Sequence, residues 1–155
     1  MIRKFLAIGL AATGLAACST TAQNPPPDLP FSGLQGTSWQ LVEIQSMDDV
    51  QGITRPDDPS KYTLTFGSDG RLSARLDCNR GMGNWSNDIS NATGGTLTFG
   101  PMAVTKALCP EPTLGESLER QLPYVRSFTI RDGRLNLALM ADGGIIVWEP
   151  VKDPR

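Results

Sequence analysis

From Trp39 onward the apolar residues recur at every second position, the period of a half-buried strand, not at the 3.6 spacing of a helix. Trp39, Leu41 and Ile44 mark a first strand over 39–44 with these three side chains inward. Tyr62, Leu64 and Phe66 alternate with Lys61, Thr63 and Thr65. Ser68-Asp69-Gly70 then supplies turn chemistry, and Leu72, Ala74 and Leu76 alternate again, which predicts a hairpin. Between these elements, 47–60 is rich in Asp, Gly and Pro and predicts a long loop. Residues 79–95 are dominated by Gly, Asn and Ser, with Trp85 and Ile89 as the apolar anchors, and predict a loop or a distorted strand. Leu97 and Phe99 mark another strand over 95–100, and 103–106 a further short one.

One segment breaks the alternation. Thr113-Leu114-Gly115-Glu116 has the form of a capping box, and Leu114, Leu118 and Leu122 follow at intervals of four, predicting a short amphipathic helix that ends near Pro123. Alternation resumes at Phe128-Thr129-Ile130, passes the turn at Asp132-Gly133, and continues through Leu135, Leu137 and Leu139. After Asp142-Gly143-Gly144 a last strand covers 145–149, completing a meander. Leu64, Phe66, Leu137 and Leu139 are expected in the core. About seven or eight strands at this short spacing define a mainly β chain, a small antiparallel barrel or barrel-like sheet with one short helix.

The N-terminus is of a different kind. Arg3 and Lys4 precede the apolar run Phe5 to Ala12, and Leu15-Ala16-Ala17-Cys18 closes it, giving the charged, hydrophobic and small-residue regions of a secretory signal. The run is too short to span a bilayer. A small-residue site followed at once by cysteine resembles the lipobox of bacterial lipoproteins. On that resemblance 1–17 is a signal peptide and Cys18 the lipidated first residue of the mature chain, with enough acyl chains for stable attachment. The alternative is an ordinary secreted protein cut nearby. Ser19, not Asp, follows the cysteine, which resembles the pattern sorted to the outer membrane, so the domain is expected to face the periplasm. Residues 18–33 carry Pro25-Pro26-Pro27 in a polar stretch and form a spacer able to hold the domain roughly 30 Å from the bilayer. The β domain is expected over 34–150, and 151–155 as a tail.

Composition narrows the chemistry. The 155-residue chain has a formal charge of −2, becomes more acidic on losing Arg3 and Lys4, and has no block of basic residues, so no nucleic-acid partner is expected. It contains no histidine. That excludes Ser-His-Asp and Cys-His catalysis and the usual zinc ligand sets, and no cofactor or metal is expected. With Cys18 carrying lipid, Cys78 and Cys109 remain, and export to an oxidising compartment predicts a disulfide between them worth about 3–4 kcal/mol; the alternative is two buried free thiols.

Few residues stand out as candidates for chemistry. Asp48, Asp49, Asp57 and Asp58 form an acidic loop, but their spacing matches no cation loop and a solvated loop is expected. Glu116, Glu119 and Arg120 lie on the short helix, where Glu116 is assigned to the cap and the others to a soluble face. Trp39, Trp85 and Trp148 could line a ligand cavity in a small barrel; core packing is the expectation.

Five segments in order resemble the META/HslJ family, once named DUF306. They are Gly36-Thr37-Ser38-Trp39-Gln40-Leu41, the hairpin around Leu64 to Ser73, Asp77-Cys78-Asn79 running to Trp85, Val104-Thr105 running to Cys109, and Glu116 with Leu118 and Leu122. One departure is Arg80-Gly81-Met82-Gly83, where the family usually places an aromatic beside a single glycine. The resemblance implies a lipocalin-like barrel with a helix, envelope lipoproteins or heat-shock-associated proteins as relatives, and no established enzymatic chemistry. It marks Trp39, Asn79, Gly83, Thr105 and Glu116 as motif residues with structural roles, Asn79 by satisfying backbone groups or tolerating a left-handed turn.

These readings converge on a monomeric, non-enzymatic envelope protein that contributes to stress tolerance by binding a partner protein or cell-wall component. Two alternatives are an anchored inhibitor of a lysozyme or protease, with 79–95 as a plugging loop, and a carrier of an apolar small molecule.

Overall fold

Alternating faces close into a wall without edges. The structure is a computed structural model and describes residues 33–47 and 52–151. Its strands are β1 (Thr37–Gln45), β2 (Ile53–Thr54), β3 (Tyr62–Phe66), β4 (Arg71–Leu76), β5 (Asn79–Asn91), β6 (Gly94–Phe99), β7 (Ala103–Val104), β8 (Val125–Arg131), β9 (Arg134–Leu139) and β10 (Ile145–Pro150), with one helix, α1 (Gly115–Gln121). Eight of them follow one another around an antiparallel barrel in the order β10-β9-β8-β6-β5-β4-β3-β1, and β1 pairs with β10 to close it. The two-residue strands β2 and β7 add to β1 and β5. Closure removes the unpaired edge that an open sheet would expose to other chains.

The barrel interior is filled by the inward set of each strand. Leu41, Leu64, Phe66, Leu97, Leu135, Leu137, Ile146 and Trp148 are fully enclosed, and Leu118 and Leu122 of the helical segment join the same core. In β1 both Leu41 and Ile44 point inward although they are three apart, which strict alternation forbids. A bulge between Leu41 and Glu43 inserts one residue and shifts the phase. Leu139 is only partly buried against the core, not enclosed as the sequence predicts, because it is the last residue of β9, where the strand leaves the barrel wall for the β9–β10 turn.

Residues 79–91 are a strand. The Gly- and Asn-rich composition hides it, yet its first half pairs with β4 and its second half with β6. Trp85 is its buried anchor; Ile89 is 52% exposed, because β5 by then has run past the core and a bulge between Ile89 and Asn91 breaks the pairing. A loop free to plug a partner's cleft is therefore not available here.

The helix start also differs from the capping-box expectation. The helix begins at Gly115, with Leu114 in the cap position and no side-chain cap bond. Glu111 Oε2, not Glu116, accepts from the Thr113 N–H at 2.9 Å, and the Leu114 N–H goes to the Tyr62 hydroxyl at 3.0 Å. Glu116 instead faces solvent in an ion pair with Arg120. The Thr113 hydroxyl still accepts from the Gly115 N–H at 3.2 Å, so a local bond and a tertiary bond to the barrel share the helix start.

The strand register gives the barrel two ends. The chain enters at Gly33 and leaves beyond Pro150 at the same end, since Trp39 lies opposite Pro150 and Thr37 opposite Phe66. The opposite end carries α1, the β4–β5 turn and the β9–β10 turn. There a short 3-10 turn over Pro59–Lys61 precedes β3, capped by Asp58, which accepts from the Ser60 amide at 3.0 Å and the Ser60 hydroxyl at 2.7 Å. The hydroxyl bond first, then the amide bond, holds the Asp58 carboxyl below its ordinary range. A depressed folded-state value means the cap favours the fold above the ordinary carboxylate range and loses that effect as pH falls through Asp58's own value. Ser60→Ala should move the Asp58 titration upward, as read by carboxyl NMR; an unmoved midpoint would show that the hydroxyl is not the cause.

Candidate functional site

Cys78, Asn79, Thr105 and Cys109 meet at the helix-bearing end, whereas the motif residues Trp39 and Gly83 lie toward the end where the chain enters. Cys78 and Cys109 form a disulfide with alpha carbons 5.6 Å apart, within the range such a bond requires. It ties the β4–β5 turn to the strand-like segment 105–109 that follows β7. Asn79 fixes the same segment without covalent help. Its Oδ1 accepts from the Ala107 N–H at 2.8 Å and the Thr105 hydroxyl at 2.9 Å, and its Nδ2 donates to the Ala107 carbonyl at 3.0 Å and to Cys109 Sγ at 3.4 Å. The Thr105 hydroxyl in turn accepts from the Arg80 N–H at 2.9 Å. An amide with both ends occupied in this way works as a strand partner for backbone that no strand reaches. Asn79→Ala should cost about 1–3 kcal/mol. Amide exchange at Ala107 should then accelerate more than at Thr105, whose N–H is held by the Arg80 carbonyl; equal acceleration would mean that the segment unfolds as a block.

Behind this segment a groove of about 160 Å³ runs between it and the start of α1, with Asn79, Lys106, Leu108 and Glu119 among its walls. Lys106 Nζ is bound to both Glu119 oxygens at 2.6 Å. Leu108 stands at the rim, 98% exposed. Close contact is required at the groove floor, since a Cβ on Gly115 would lie 2.8 Å from the Leu76 carbonyl oxygen.

The glycine pair in Arg80-Gly81-Met82-Gly83 has a local explanation. A Cβ on Gly81 would sit 2.7 Å from Met102 Sδ, and one on Gly83 3.0 Å from the Pro101 carbonyl oxygen. The two glycines let the 101–102 crossing lie directly on β5, and Met102 fills the space that an aromatic would otherwise take.

The remaining candidates separate. Trp39, Trp85 and Trp148 all belong to the barrel core, Trp39 with its indole N–H donated to the Thr37 hydroxyl at 2.7 Å. Trp85 and Trp148 bury indole N–H groups that meet no acceptor among the described residues, a cost of about 1–3 kcal/mol each that the area of the rings offsets. Asp57 and Asp58 belong to the loop before β3, while Asp48, Asp49 and Cys18 lie outside the described residues. Among the described residues no group of three His, Cys, Asp or Glu is arranged to hold a metal ion, and no helix is long and apolar enough to cross a membrane.

Sequence reasoning missed a polar feature on the outer wall. Glu43 is 8% exposed although it points away from the core, accepting from Gln45 Nε2 at 2.6 Å and paired with Arg55 at 2.6 Å. With Val147, Arg131, Arg134 and Asn136 it lines an open cleft. The three-residue interval between inward Leu41 and Ile44 was the signal, because it puts Glu43 beyond a bulge.

A closed eight-stranded antiparallel barrel, stapled by one disulfide and carrying one short helix at its end, defines the class. The META domain family model matches residues 32–150, and the chain belongs to that family. In fold it is similar to a protein from Burkholderia xenovorans solved by NMR, at 20% identity and a TM-score of 0.63, covering 94% of this chain and all of that one. It is also similar to a DUF4847 family protein from Bacteroides vulgatus ATCC 8482, at 14% identity and a TM-score of 0.53, covering 75% of this chain and 93% of that one. Comparison with curated proteins finds no match.

Proposed function

We propose that this META domain protein is a non-enzymatic lipoprotein, anchored through Cys18 in the outer membrane and facing the periplasm, that supports stress tolerance by binding an envelope protein or cell-wall component. The polarity of the barrel carries this reading. Gly33, to which the spacer and Cys18 are joined, emerges at the end opposite α1. A lipid at Cys18 is therefore joined at the far end of the barrel and leaves the helix-bearing end, with the 160 Å³ groove and the exposed Leu108, clear of the point of attachment. Leu108, the most exposed large apolar side chain among the described residues, is assigned as the contact for that partner. The absence of histidine removes the commonest general base, and no nucleophile with a base is assembled in the groove.

The test has two arms. Cys18→Ser should block processing at that site and remove the protein from the outer-membrane fraction; normal processing and fractionation would end the lipoprotein reading. Cells lacking the gene should lose survival under heat or hydrophobic antibiotics, restored by the wild type and not by an equally stable Leu108→Asp variant. Full restoration by that variant would remove the groove from the function.

A further inference from the structure

The disulfide that closes the groove is not symmetric. Cys78 is exposed and sits in a cationic turn, whereas Cys109 is half-buried beside acids. The carbonyl of Asp77, in the peptide that precedes Cys78, accepts from Arg75 Nε and Arg80 Nη1, each at 3.3 Å. Lys61 Nζ lies 3.7 Å from Asp77 Oδ1. Against these three cations stand two carboxylates, Asp77 and Asp58, the second held by Ser60. Cys109 instead lines a small pocket beside the groove with Glu111 and with Glu116, the second of which is paired with Arg120. Asn79 Nδ2 points at Cys109 Sγ from 3.4 Å.

We propose that Cys78 is a site of reversible S-thiolation by anionic thiols. Thiol–disulfide exchange proceeds by in-line attack of a thiolate on one sulfur, and its rate depends on which sulfur is reached and how well the other carries charge as it leaves. Here the cations of the β4–β5 turn draw an anionic thiolate to exposed Cys78, and Glu111, with no cation paired to it among the described residues, repels it from half-buried Cys109. The attacking sulfur bonds to Cys78 Sγ, the Cys78–Cys109 bond breaks, and its electron pair goes to Cys109 Sγ, toward which the Asn79 N–H is already directed. The product is a mixed disulfide at Cys78 and a thiolate at Cys109 that takes a proton from water. A second thiolate can displace Cys78 from the adduct, releasing the symmetric disulfide of the added thiol and completing a two-electron reduction of the protein at the expense of two thiols. Either product frees the segment 105–109 from its covalent tie and leaves it to the Asn79, Arg80 and Lys106 bonds, so the thiol state of the surroundings acts on the rim that carries Leu108.

The test uses the folded, oxidised mature chain with 2-mercaptoethanesulfonate as the anionic thiol and cysteamine as the cationic one, rates compared per thiolate and early time points quenched with N-ethylmaleimide. Peptide mapping should find the adduct on Cys78 and the maleimide on Cys109. The anionic thiol should react about tenfold faster at low salt, and the difference should shrink as salt screens the turn. Arg80→Gln, its fold checked by circular dichroism, should narrow the ratio in the same way; should it fail to fold, the salt series on the wild type asks the same question. An adduct on Cys109, equal rates for the two thiols at low salt, or reduction only where the protein unfolds would each overturn the proposal.

Discussion

Phe66→Ala should destabilise the domain by about 3–5 kcal/mol, while Thr65→Ala, one residue away, should cost under about 1. Phe66 is fully enclosed and meets Trp85 edge-on with ring centroids 5.0 Å apart and Phe99 at 6.0 Å. These contacts sit where the chain enters the barrel, since Phe66 lies opposite Thr37 on one side and Leu72 on the other, and its carbonyl accepts from the Gly36 N–H at 2.7 Å. Truncation leaves a cavity that rigid strands on both sides cannot close, which adds a packing loss to the lost transfer energy. Thr65 points outward and gives up one exposed hydrogen bond to the Ser38 hydroxyl at 3.0 Å. Urea unfolding followed by tryptophan emission measures both, and equal losses at the two positions would show that Phe66 is not in the core.

This contrast was legible because β3 and β4 alternate without interruption, and for such strands the sequence pattern and the burial pattern coincide. The barrel class followed for the same reason: turn residues punctuate the alternation at regular short intervals, and antiparallel neighbours need only short turns between them. What could not be read was any element whose identity depends on a distant neighbour. In the strand over 79–91, Gly81 and Gly83 make room for the 101–102 crossing, and sequence alone does not show what a glycine makes room for. Of the capping box, the Thr113 bond forms and the Glu116 half does not, while the Tyr62 hydroxyl, 52 residues away, satisfies the Leu114 N–H, a partner that a local pattern does not show.

At the site, the count of cysteines and the expected export identified Cys78 and Cys109 as partners, and the resemblance marked Asn79 and Thr105. Their arrangement was beyond reach. That one amide would serve two backbone groups, a hydroxyl and a sulfur depends on the crossing of 105–109 over the start of β5, which is a property of the closed barrel. Glu43 shows the opposite failure: an acid on a predicted strand reads as a solvated face, whereas here its carboxylate is buried beyond the bulge and paired with an exposed Arg55.

Replacing Cys78 and Cys109 together by alanine should lower stability by about 2–5 kcal/mol, with a fall in Tm of the order of 10 °C. The two sulfurs close a loop of sequence separation 31, and chain entropy alone assigns a loop of that size about 3–4 kcal/mol. The loop contains β5, β6 and β7, so in the unfolded chain the bond restrains close to the whole stretch whose composition gives it the weakest strand character. Asn79 retains its bonds to Thr105 and Ala107 in the variant, and the reduced wild type should lose the same amount as the double alanine variant if the effect comes from the crosslink and not from the sulfur atoms. Combining the variant with Asn79→Ala separates the two ties: a loss well beyond the sum of the single effects would mean that each holds the segment 105–109 when the other is gone. Calorimetry of the four proteins decides between them, and a loss under about 1 kcal/mol for the cysteine pair would place the stability of this end in the Asn79 bonds and the packing of Leu118 and Leu122 instead.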